Sequence, residues 1–248
     1  MTDYPIGATA TTFEVVEALA ELEEAGVTEV ADRLGLSKGS AHNHLATLER
    51  LGYAVSRDGR YRLGLQFLDL GSRIRAGRDV YRAARSEIDR LAHSSGETAS
   101  LVVEEAGEAV FVYRAGDDES TRLRAGSRVP IQATAGGKAI LANRASTSAA
   151  DVLDGDVAAP TDATITDADA LARELQTVRD QGLAFDRGEL FPDRRAVAAP
   201  VMTDDGRAIG AVAVSGPADR MSGKRLDEDM PGLVLSAANK IGVNRLAD

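Results

Sequence analysis

Residues 28–53 have the sequence TEVADRLGLSKGSAHNHLATLERLGY, and this stretch decides the fold of the first part of the chain. Gly35 separates two runs of apolar residues at helical spacing, which predicts two consecutive helices. Ser37 is a favourable N-cap for the second helix, and Gly52 is a favourable end. The buried positions are aliphatic, while the start of the second helix is polar or small. This pattern is typical of a helix-turn-helix, whose second helix presents its first residues to base edges.

The elements on either side of this pair extend the pattern. Apolar residues at helical spacing predict an earlier helix from Thr12 to Glu24, with Thr12 as its cap. After the pair, residues 53–64 have the sequence YAVSRDGRYRLG and predict two short strands. The strands would join at Asp58-Gly59, because Asp-Gly favours a two-residue hairpin turn. Three helices followed by a hairpin predict a winged helix-turn-helix.

Exposed residues of the second helix of the pair and of the hairpin are candidates for contact with double-stranded DNA. Small or hydrogen-bonding side chains suit base edges, and arginines on a hairpin suit the phosphate backbone. We expect Ser40 and Asn43 to lie near the bases and the arginines to lie beside the groove. The candidates are Ser37, Lys38, Ser40, His42, Asn43, His44, Arg57, Arg60 and Arg62. The alternative is a helical hairpin that binds no nucleic acid.

Basic residues are concentrated around this predicted DNA-binding segment. Residues 1–32 contain eight acidic residues and no lysine or arginine, whereas residues 33–78 contain nine basic and three acidic residues. A basic segment in an otherwise acidic chain indicates a surface for nucleic acid.

The composition of the 248 residues limits the classes of protein that fit. The formal net charge is −10, the chain has few lysines, and it has no cysteine. Disulfides, thiolate metal sites and a cysteine nucleophile are therefore excluded. The acidic, lysine-poor balance predicts a salt-adapted source such as a halophilic archaeon, with ordinary drift in composition as the alternative. Because no signal peptide or long apolar run is evident, we expect a cytoplasmic protein without membrane contact.

The remainder of the chain predicts a different kind of domain. Residues 65–78 predict a linking helix with Leu65, Leu68 and Ile74 on one stripe, and another amphipathic helix follows. β-rich runs then mix with helices without strict alternation, and one strand is predicted within residues 120–131. This arrangement favours an antiparallel α+β domain.

A glycine-rich stretch in this second half, TAGGKAIL at residues 134–141, lacks the spacing of a phosphate-binding P-loop. It predicts a turn into a helix that starts near Lys138, and the N-terminal amides of that helix could bind an anion. The alternative is a structural turn whose glycines let the helix approach the sheet. No GxSxG or HExxH motif occurs, and His42 and His44 point to different sides of their helix. We therefore expect neither an enzyme nor a metal or cofactor site.

The order of these features resembles the IclR family of transcriptional regulators. The resemblance rests on SKGSAHNHLATLERLGYAVSRDGRYRLG, VPIQATAGGKAILA and LQTVRDQGLAFDRGEL, and above all on VAAPVMTDDGRAIGAVAVSGPADR. It implies an α+β protein with a winged helix-turn-helix at residues 1–64, a linker helix at 65–78 and a GAF-like antiparallel-sheet effector domain at 79–248. It also implies homodimers or homotetramers on palindromic operators.

The resemblance further implies which positions contact a small-molecule effector in the second domain. An amide-donating loop falls on Ala135, Gly136 and Gly137, and strand positions fall on Asp186, Ala196, Ala213 and Ser215. Ala196 stands where cysteine is frequent in the family, and Ala213 where serine is frequent. Because these two polar contacts are absent and Arg194 and Arg195 lie nearby, we expect an acidic effector or a sugar derivative. The alternative is that both arginines face solvent.

The sequence thus predicts a ligand-responsive, DNA-binding transcriptional regulator of a carbon-catabolism operon. The linking helix would relay effector binding to the DNA-binding domain. Two alternatives remain at this point. One is a small-molecule-processing enzyme or binding module with a non-functional helical domain, and the other is a DNA-binding protein whose second domain only dimerises.

Overall fold

The computed structural model describes residues 4–116, 123–144, 149–153 and 158–245. The chain divides into two compact units, Met1–Gly77 and Arg78–Asp248. The first unit contains α1 (Gly7–Leu22), β1 (Ala25–Gly26), α2 (Val27–Leu34), α3 (Lys38–Arg50), β2 (Ala54–Arg57), β3 (Arg60–Leu63) and α4 (Gln66–Ala76). The predicted winged helix-turn-helix is confirmed by this order of elements.

Two local signals fix α3 and the hairpin. The side chain of Ser37 caps α3, because its hydroxyl oxygen accepts a hydrogen bond from the amide of Ser40 over 3.1 Å. Asp58 and Gly59 have φ angles of 51° and 77°, the left-handed conformation that a two-residue type I′ turn requires. Strand β3 pairs with β2 through this turn and with the short β1 on its other side. The three strands form the wing.

The first helix differs from its prediction. It begins at Gly7 rather than at Thr12. Thr12 lies inside the helix, where its hydroxyl donates a hydrogen bond to the carbonyl of Ala8 over 2.8 Å. Threonine is a common N-cap, but in this position its hydroxyl bonds back to the preceding turn instead.

The core of the first unit joins its first three helices to the wing. Leu19, Val30 and Leu45 come from α1, α2 and α3 and are fully buried against one another. Tyr61 of β3 packs into the same cluster and fixes the wing to the helices. One continuous apolar core therefore holds α3 with its polar face outward.

Helix α4 has no buried residue. Its predicted stripe of Leu65, Leu68 and Ile74 is 80%, 63% and 66% exposed. At its start, the ring of Phe67 lies 4.9 Å from the ring of Tyr53. Among the described residues, the apolar stripe of α4 is otherwise exposed.

The second unit mixes strands and helices. It contains α5 (Asp79–Ser95), β4 (Thr98–Glu105), β5 (Glu108–Ala115), β6 (Arg128–Pro130), α6 (Ala135–Ala142), α7 (Ala149–Val152), α8 (Ala168–Gln181), β7 (Ala184–Asp186), β8 (Arg194–Met202), β9 (Ala208–Pro217) and α9 (Met230–Arg245). None of the helices in the described ranges is long and apolar enough to cross a membrane.

The strands of this unit form one antiparallel sheet in the order β6-β5-β4-β9-β8-β7. Alternate residues of each strand face opposite sides, as pleating requires. Leu101 of β4 faces α5 and α9, whereas its neighbour Val102 faces α6 and α8. The predicted α+β class, with an antiparallel sheet between helices, is confirmed.

Two local predictions in this unit need correction. Of the strand expected within residues 120–131, the structure shows only Arg128–Pro130, and residues 120–122 lie outside the described ranges. Helix α6 begins at Ala135, before Lys138. Its N-cap is Thr134, whose hydroxyl oxygen accepts a hydrogen bond from the amide of Gly137 over 2.8 Å.

Candidate DNA-contact surface and ligand pocket

The structure brings most of the candidate residues of α3 onto one exposed face. Lys38, His42 and Asn43 are exposed, and Ser40 is half-buried beside them. The opposite face of the helix carries Ala41, Leu45 and Leu48, which are buried in the core of the first unit. The exposed face can therefore enter a groove without disturbing the fold.

His44 has a different position from the other candidates of α3. It is half-buried, and its Nδ1 atom lies 2.9 Å from the hydroxyl of Thr12 on α1. This hydrogen bond joins two helices of the core. The structure thus places His44 in a contact between helices.

The three arginines of the wing differ in their contacts. Arg57 and Arg62 are exposed, with 94% exposure for the side chain of Arg57. Arg60 instead turns back to the helices: its Nη1 donates to Glu29 over 2.8 Å, and its Nε donates to Glu24 over 2.9 Å. Arg60 is therefore held by two carboxylates of its own unit.

Glu29 connects this arginine to the start of α2. One of its carboxylate oxygens, Oε2, accepts hydrogen bonds from the amide of Gly26 and from Arg60, each over 2.8 Å. These two donors lower the pKa of Glu29, the amide contributing most, and the hydrogen bond to Glu29 raises the pKa of Arg60. Arg60 therefore ties the wing to the N-terminus of α2.

The second unit contains a pocket on the sheet face that carries α6. It lies between the start of α6 and the segment that joins β7 to β8, and its space, open mouth included, is about 500 Å³. The cavity within this space measures about 40 Å³. Its lining consists of Ser100, Val102, Phe111, Arg114, Leu123, Thr134, Ala135, Gly136, Asp186, Leu190, Phe191, Arg194, Arg195, Ala196, Ala213 and Ser215.

Eight of the nine residues predicted for the effector site line this pocket; the exception is Gly137. The Gly137 amide is occupied by the hydroxyl of Thr134. A Cβ atom at Gly137 would lie 1.9 Å from the carbonyl oxygen of Ile131, and one at Gly136 would lie 3.0 Å from Val102. Both glycines thus allow close packing, and only Gly136 also borders the pocket.

The floor of the pocket belongs to two rows of residues that lie side by side across neighbouring strands. Cross-strand neighbours of this kind have Cβ atoms about 5 Å apart. The first row is Ser215, Ala196 and Asp186, from β9 to β7, and the second is Arg114, Ser100 and Ala213, from β5 to β9. Hydroxyl groups are concentrated on β4 and β9, and methyl groups lie beside them.

Three arginines border the pocket. Arg194 is only 6% exposed, and Arg195 is half-buried, with its Nη1 donating to the carbonyls of Pro192 and of Arg194. Neither arginine therefore faces open solvent, contrary to the alternative considered from the sequence. The guanidinium of Arg114 lies 5.8 Å from the ring centroid of Phe111.

A buried charge cluster lies next to the pocket. Lys138 of α6 is 1% exposed, and its Nζ lies 2.6 Å from Glu189 and 3.0 Å from Glu174. Asp186 accepts hydrogen bonds at Oδ1 from the amides of Gly188 and Glu189, over 2.9 Å and 2.6 Å. The cluster joins α6, α8 and the segment after β7, and these elements form or support the pocket wall.

Burial of this cluster disfavours the charged forms of its carboxyl groups. It raises the pKa of Glu189, although the positive charge of Lys138 opposes the shift. It also raises the pKa of Asp186, against the effect of the two backbone amides and of Lys138. Among the described residues, the Oε2 atom of Glu189 is buried and has no hydrogen-bond partner.

Sequence reasoning missed several residues of this region. It did not predict Ser100 and Arg114 in the lining or Lys138 in a buried ion pair. Their spacing carries no motif, because their neighbours in the fold come from distant parts of the sequence. A buried lysine is rare enough that exposure is the ordinary expectation.

Two family models match the chain. The IclR helix-turn-helix domain matches residues 9–58, and the bacterial transcriptional regulator IclR C-terminal domain matches residues 74–243. The "Probable HTH-type transcriptional regulator ArcR" of Halobacterium salinarum is 33% identical over 241 residues, covering 93% of this chain and 90% of that protein. The glycerol operon regulatory protein of Streptomyces griseus is 36% identical over 201 residues, covering 79% and 78%.

A solved structure supports the same fold. An IclR homologue from Microbacterium hydrocarbonoxydans, complexed with 4-hydroxybenzoate, superposes with a TM-score of 0.78 at 22% identity. The match covers 96% of this chain and 100% of that chain.

A winged helix-turn-helix and a sheet domain with a ligand pocket define a ligand-responsive DNA-binding protein. The chain belongs to the IclR family of transcriptional regulators. Its first unit is the DNA-binding part, its second unit is the ligand-binding part, and its relatives are regulators rather than enzymes.

Proposed function

We propose that this regulator contacts operator DNA through the exposed face of α3 and the tip of the wing, and that an acidic effector in the pocket controls its affinity for DNA. The exposed Lys38, His42 and Asn43 support contacts in the groove, together with Ser40 and the helix start at Ser37. Arg57 and Arg62 contact the phosphate backbone, and Arg60 holds the wing in position.

The salt dependence of DNA binding separates these roles. Replacing Arg57 and Arg62 by alanine should weaken specific and non-specific DNA alike, because phosphate contacts are independent of sequence. The slope of log K against log salt should fall by about 0.9 for each phosphate that an arginine no longer neutralises. Fluorescence anisotropy over a range of salt concentrations measures this slope.

The matched control for this measurement is Arg60→Gln. Arg60 already donates to Glu24 and Glu29, so its replacement should leave the slope close to that of the unchanged chain. A decrease in slope for Arg60→Gln as large as for either of the other arginines would contradict the different roles.

The observation that carries the effector proposal is the positive lining of one pocket. Arg114, Arg194 and Arg195 border it together with the N-terminus of α6, whose dipole and amides favour negative charge. Asp186 is also in the lining, but its Oδ1 atom is already bound by two amides. The relative that was solved with 4-hydroxybenzoate binds a carboxylic acid, which supports the same class of ligand.

Calorimetry with sugar acids, keto acids and matched neutral sugars tests this proposal. We expect an acid to bind about 10-fold or more tightly than its neutral analogue, because hydrogen bonds between charged groups are the stronger ones. The double variant Arg194→Ala, Arg195→Ala should lose this preference. Arg187→Ala is the control, since Arg187 pairs with Asp227 and is not in the lining. Tighter binding of neutral sugars, unchanged in the double variant, would refute the acidic effector.

The assembly and the regulated genes belong to the same proposal. The exposed apolar face of α4, with Phe13 of α1 at 59% exposure, supports association of the chain as a homodimer or a homotetramer. Such symmetry suits a palindromic operator, and α4 then relays effector binding to the DNA-binding unit.

The glycerol operon relative supports a carbon-catabolism operon as target, and a regulator of chromosomal DNA acts in the cytoplasm. Sedimentation velocity and sequencing of genomic DNA retained by the chain test these statements.

A further inference from the structure

The pocket floor carries a hydroxyl group that no family motif predicted. Ser100 of β4 lies directly opposite Arg114 of β5 and Ala213 of β9, and it faces the pocket. Ser215 of β9 lies in the neighbouring row and also faces the pocket. The two serines thus place hydroxyl groups on the two central strands of the sheet.

The hydroxyl groups of Ser100 and Ser215 have no hydrogen-bond partner among the described residues. In this described part of the chain Ser100 is only 2% exposed and Ser215 is half-buried, and both border the pocket. The hydroxyl of Thr98, beside Ser215, is buried and unpaired among the described residues, but it lies outside the lining of this pocket. Buried hydroxyl groups are usually satisfied, because an unmade hydrogen bond costs free energy. Two hydroxyl groups that border a pocket and make no hydrogen bond to the described residues point to partners on a ligand.

The neighbours of the serines define the chemistry of these partners. Arg114 and Arg194 suit the carboxylate of an acid, whereas a serine hydroxyl both donates and accepts and therefore suits a hydroxyl group. Ala196 and Ala213 present methyl groups and supply no hydrogen bond. An acid with a plain alkyl body would cover Ser100 and Ser215 without pairing them.

We propose that Ser100, together with Ser215, binds hydroxyl groups of the effector and makes the pocket selective for hydroxylated carboxylic acids of the sugar-acid class. This inference rests on the proposed acidic effector and adds a specificity-determining residue to it. A site whose buried polar groups pair with a ligand hydroxyl rejects the analogue without that hydroxyl, because its own groups then stay unpaired.

Matched ligands and one matched variant test the inference on the full chain by calorimetry. D-gluconate and hexanoate are monocarboxylates of the same chain length that differ in hydroxyl groups, and D-sorbitol has the hydroxyl groups without the carboxylate. We expect gluconate to bind at least about 10-fold more tightly than hexanoate, since each missing hydrogen bond costs severalfold in affinity. Ser100→Ala should weaken gluconate by about 3- to 10-fold and leave hexanoate unchanged. Ser222→Ala, the same change at an exposed site outside the pocket, should alter neither.

The outcomes separate this inference from the proposal beneath it. Equal binding of gluconate and hexanoate, or an equal loss for both in Ser100→Ala, overturns the role of Ser100 and leaves the acidic effector standing. Sorbitol binding as tightly as gluconate, with both weakened in Ser100→Ala, upholds the role of the serine and overturns the preference for an acid. Failure of all three compounds to bind overturns both.

Discussion

Replacing Lys138 by methionine is expected to lower the free energy of unfolding by about 3–5 kcal/mol, because removal of one partner leaves a buried charge unpaired. The Nζ of Lys138 is the partner of Glu189, whose other oxygen is already unpaired among the described residues. Denaturation in urea, followed by circular dichroism, measures the loss. Lys240→Met, the same change at an exposed position of α9, should cost far less.

The dependence of this loss on pH follows from the buried carboxyls. Burial holds the pKa values of Glu189 and Asp186 above their ordinary values in the folded state, so the folded state binds protons more readily than the unfolded state. Their charged forms therefore cost stability at neutral pH, and this cost fades as the pH falls through the raised pKa values. We expect the deficit of Lys138→Met to be largest near neutrality and to shrink in acid.

A second substitution checks the cause of the loss. Glu189→Gln in the Lys138→Met background removes the unpaired charge, so it should recover much of the lost stability. No recovery in the double variant, or a deficit that does not change with pH, would show that lost packing and not the unpaired charge dominates.

Gly137→Ala is expected to destabilise the second unit by about 3 kcal/mol, because it forces an atom into a filled space. The new methyl would lie 1.9 Å from the carbonyl oxygen of Ile131 and 2.7 Å from the hydroxyl of Thr134. The first is a backbone atom, and the second is the cap of α6, so relief requires the helix start to move. Thermal unfolding monitored in the sheet domain measures the effect.

The matched control is Gly232→Ala on α9. No atom lies within 4 Å of a Cβ placed there, and the residue is exposed in a helix. Alanine should be neutral or stabilising by up to about 1 kcal/mol at such a site, through helix propensity. If both alanine variants lost similar stability, the helix start at Gly137 would accommodate the new methyl group without a specific cost.

The parts of the fold that sequence predicted well depend on short-range signals. Ser37 bonds to an amide three residues along the chain, and Asp58-Gly59 closes a turn within itself. The start of α1 was misplaced because the hydroxyl of Thr12 had two local uses, as a cap or as a bond to Ala8. The residues around Thr12 are compatible with either hydrogen bond. Which of the two forms depends on where the packed helix begins.

The parts that sequence missed depend on contacts between distant residues. Arg60 meets Glu24 and Glu29, which precede it by 36 and 31 residues, so nothing near the hairpin indicates these two ion pairs. Lys138 meets Glu189 from 51 residues away. The pocket lining was predicted through the family resemblance, whereas Ser100 and Arg114 became neighbours only through the register of β4 and β5.

The two alanines in the pocket floor have an evolutionary consequence. An alanine codon becomes a serine codon by a single nucleotide change, and Ala196 and Ala213 both line the pocket. Point mutations there can add polar contacts to the floor while the sheet, the charge cluster and α3 keep their structure. A lineage that carries this chain can therefore change the metabolite it senses before it changes the genes it controls.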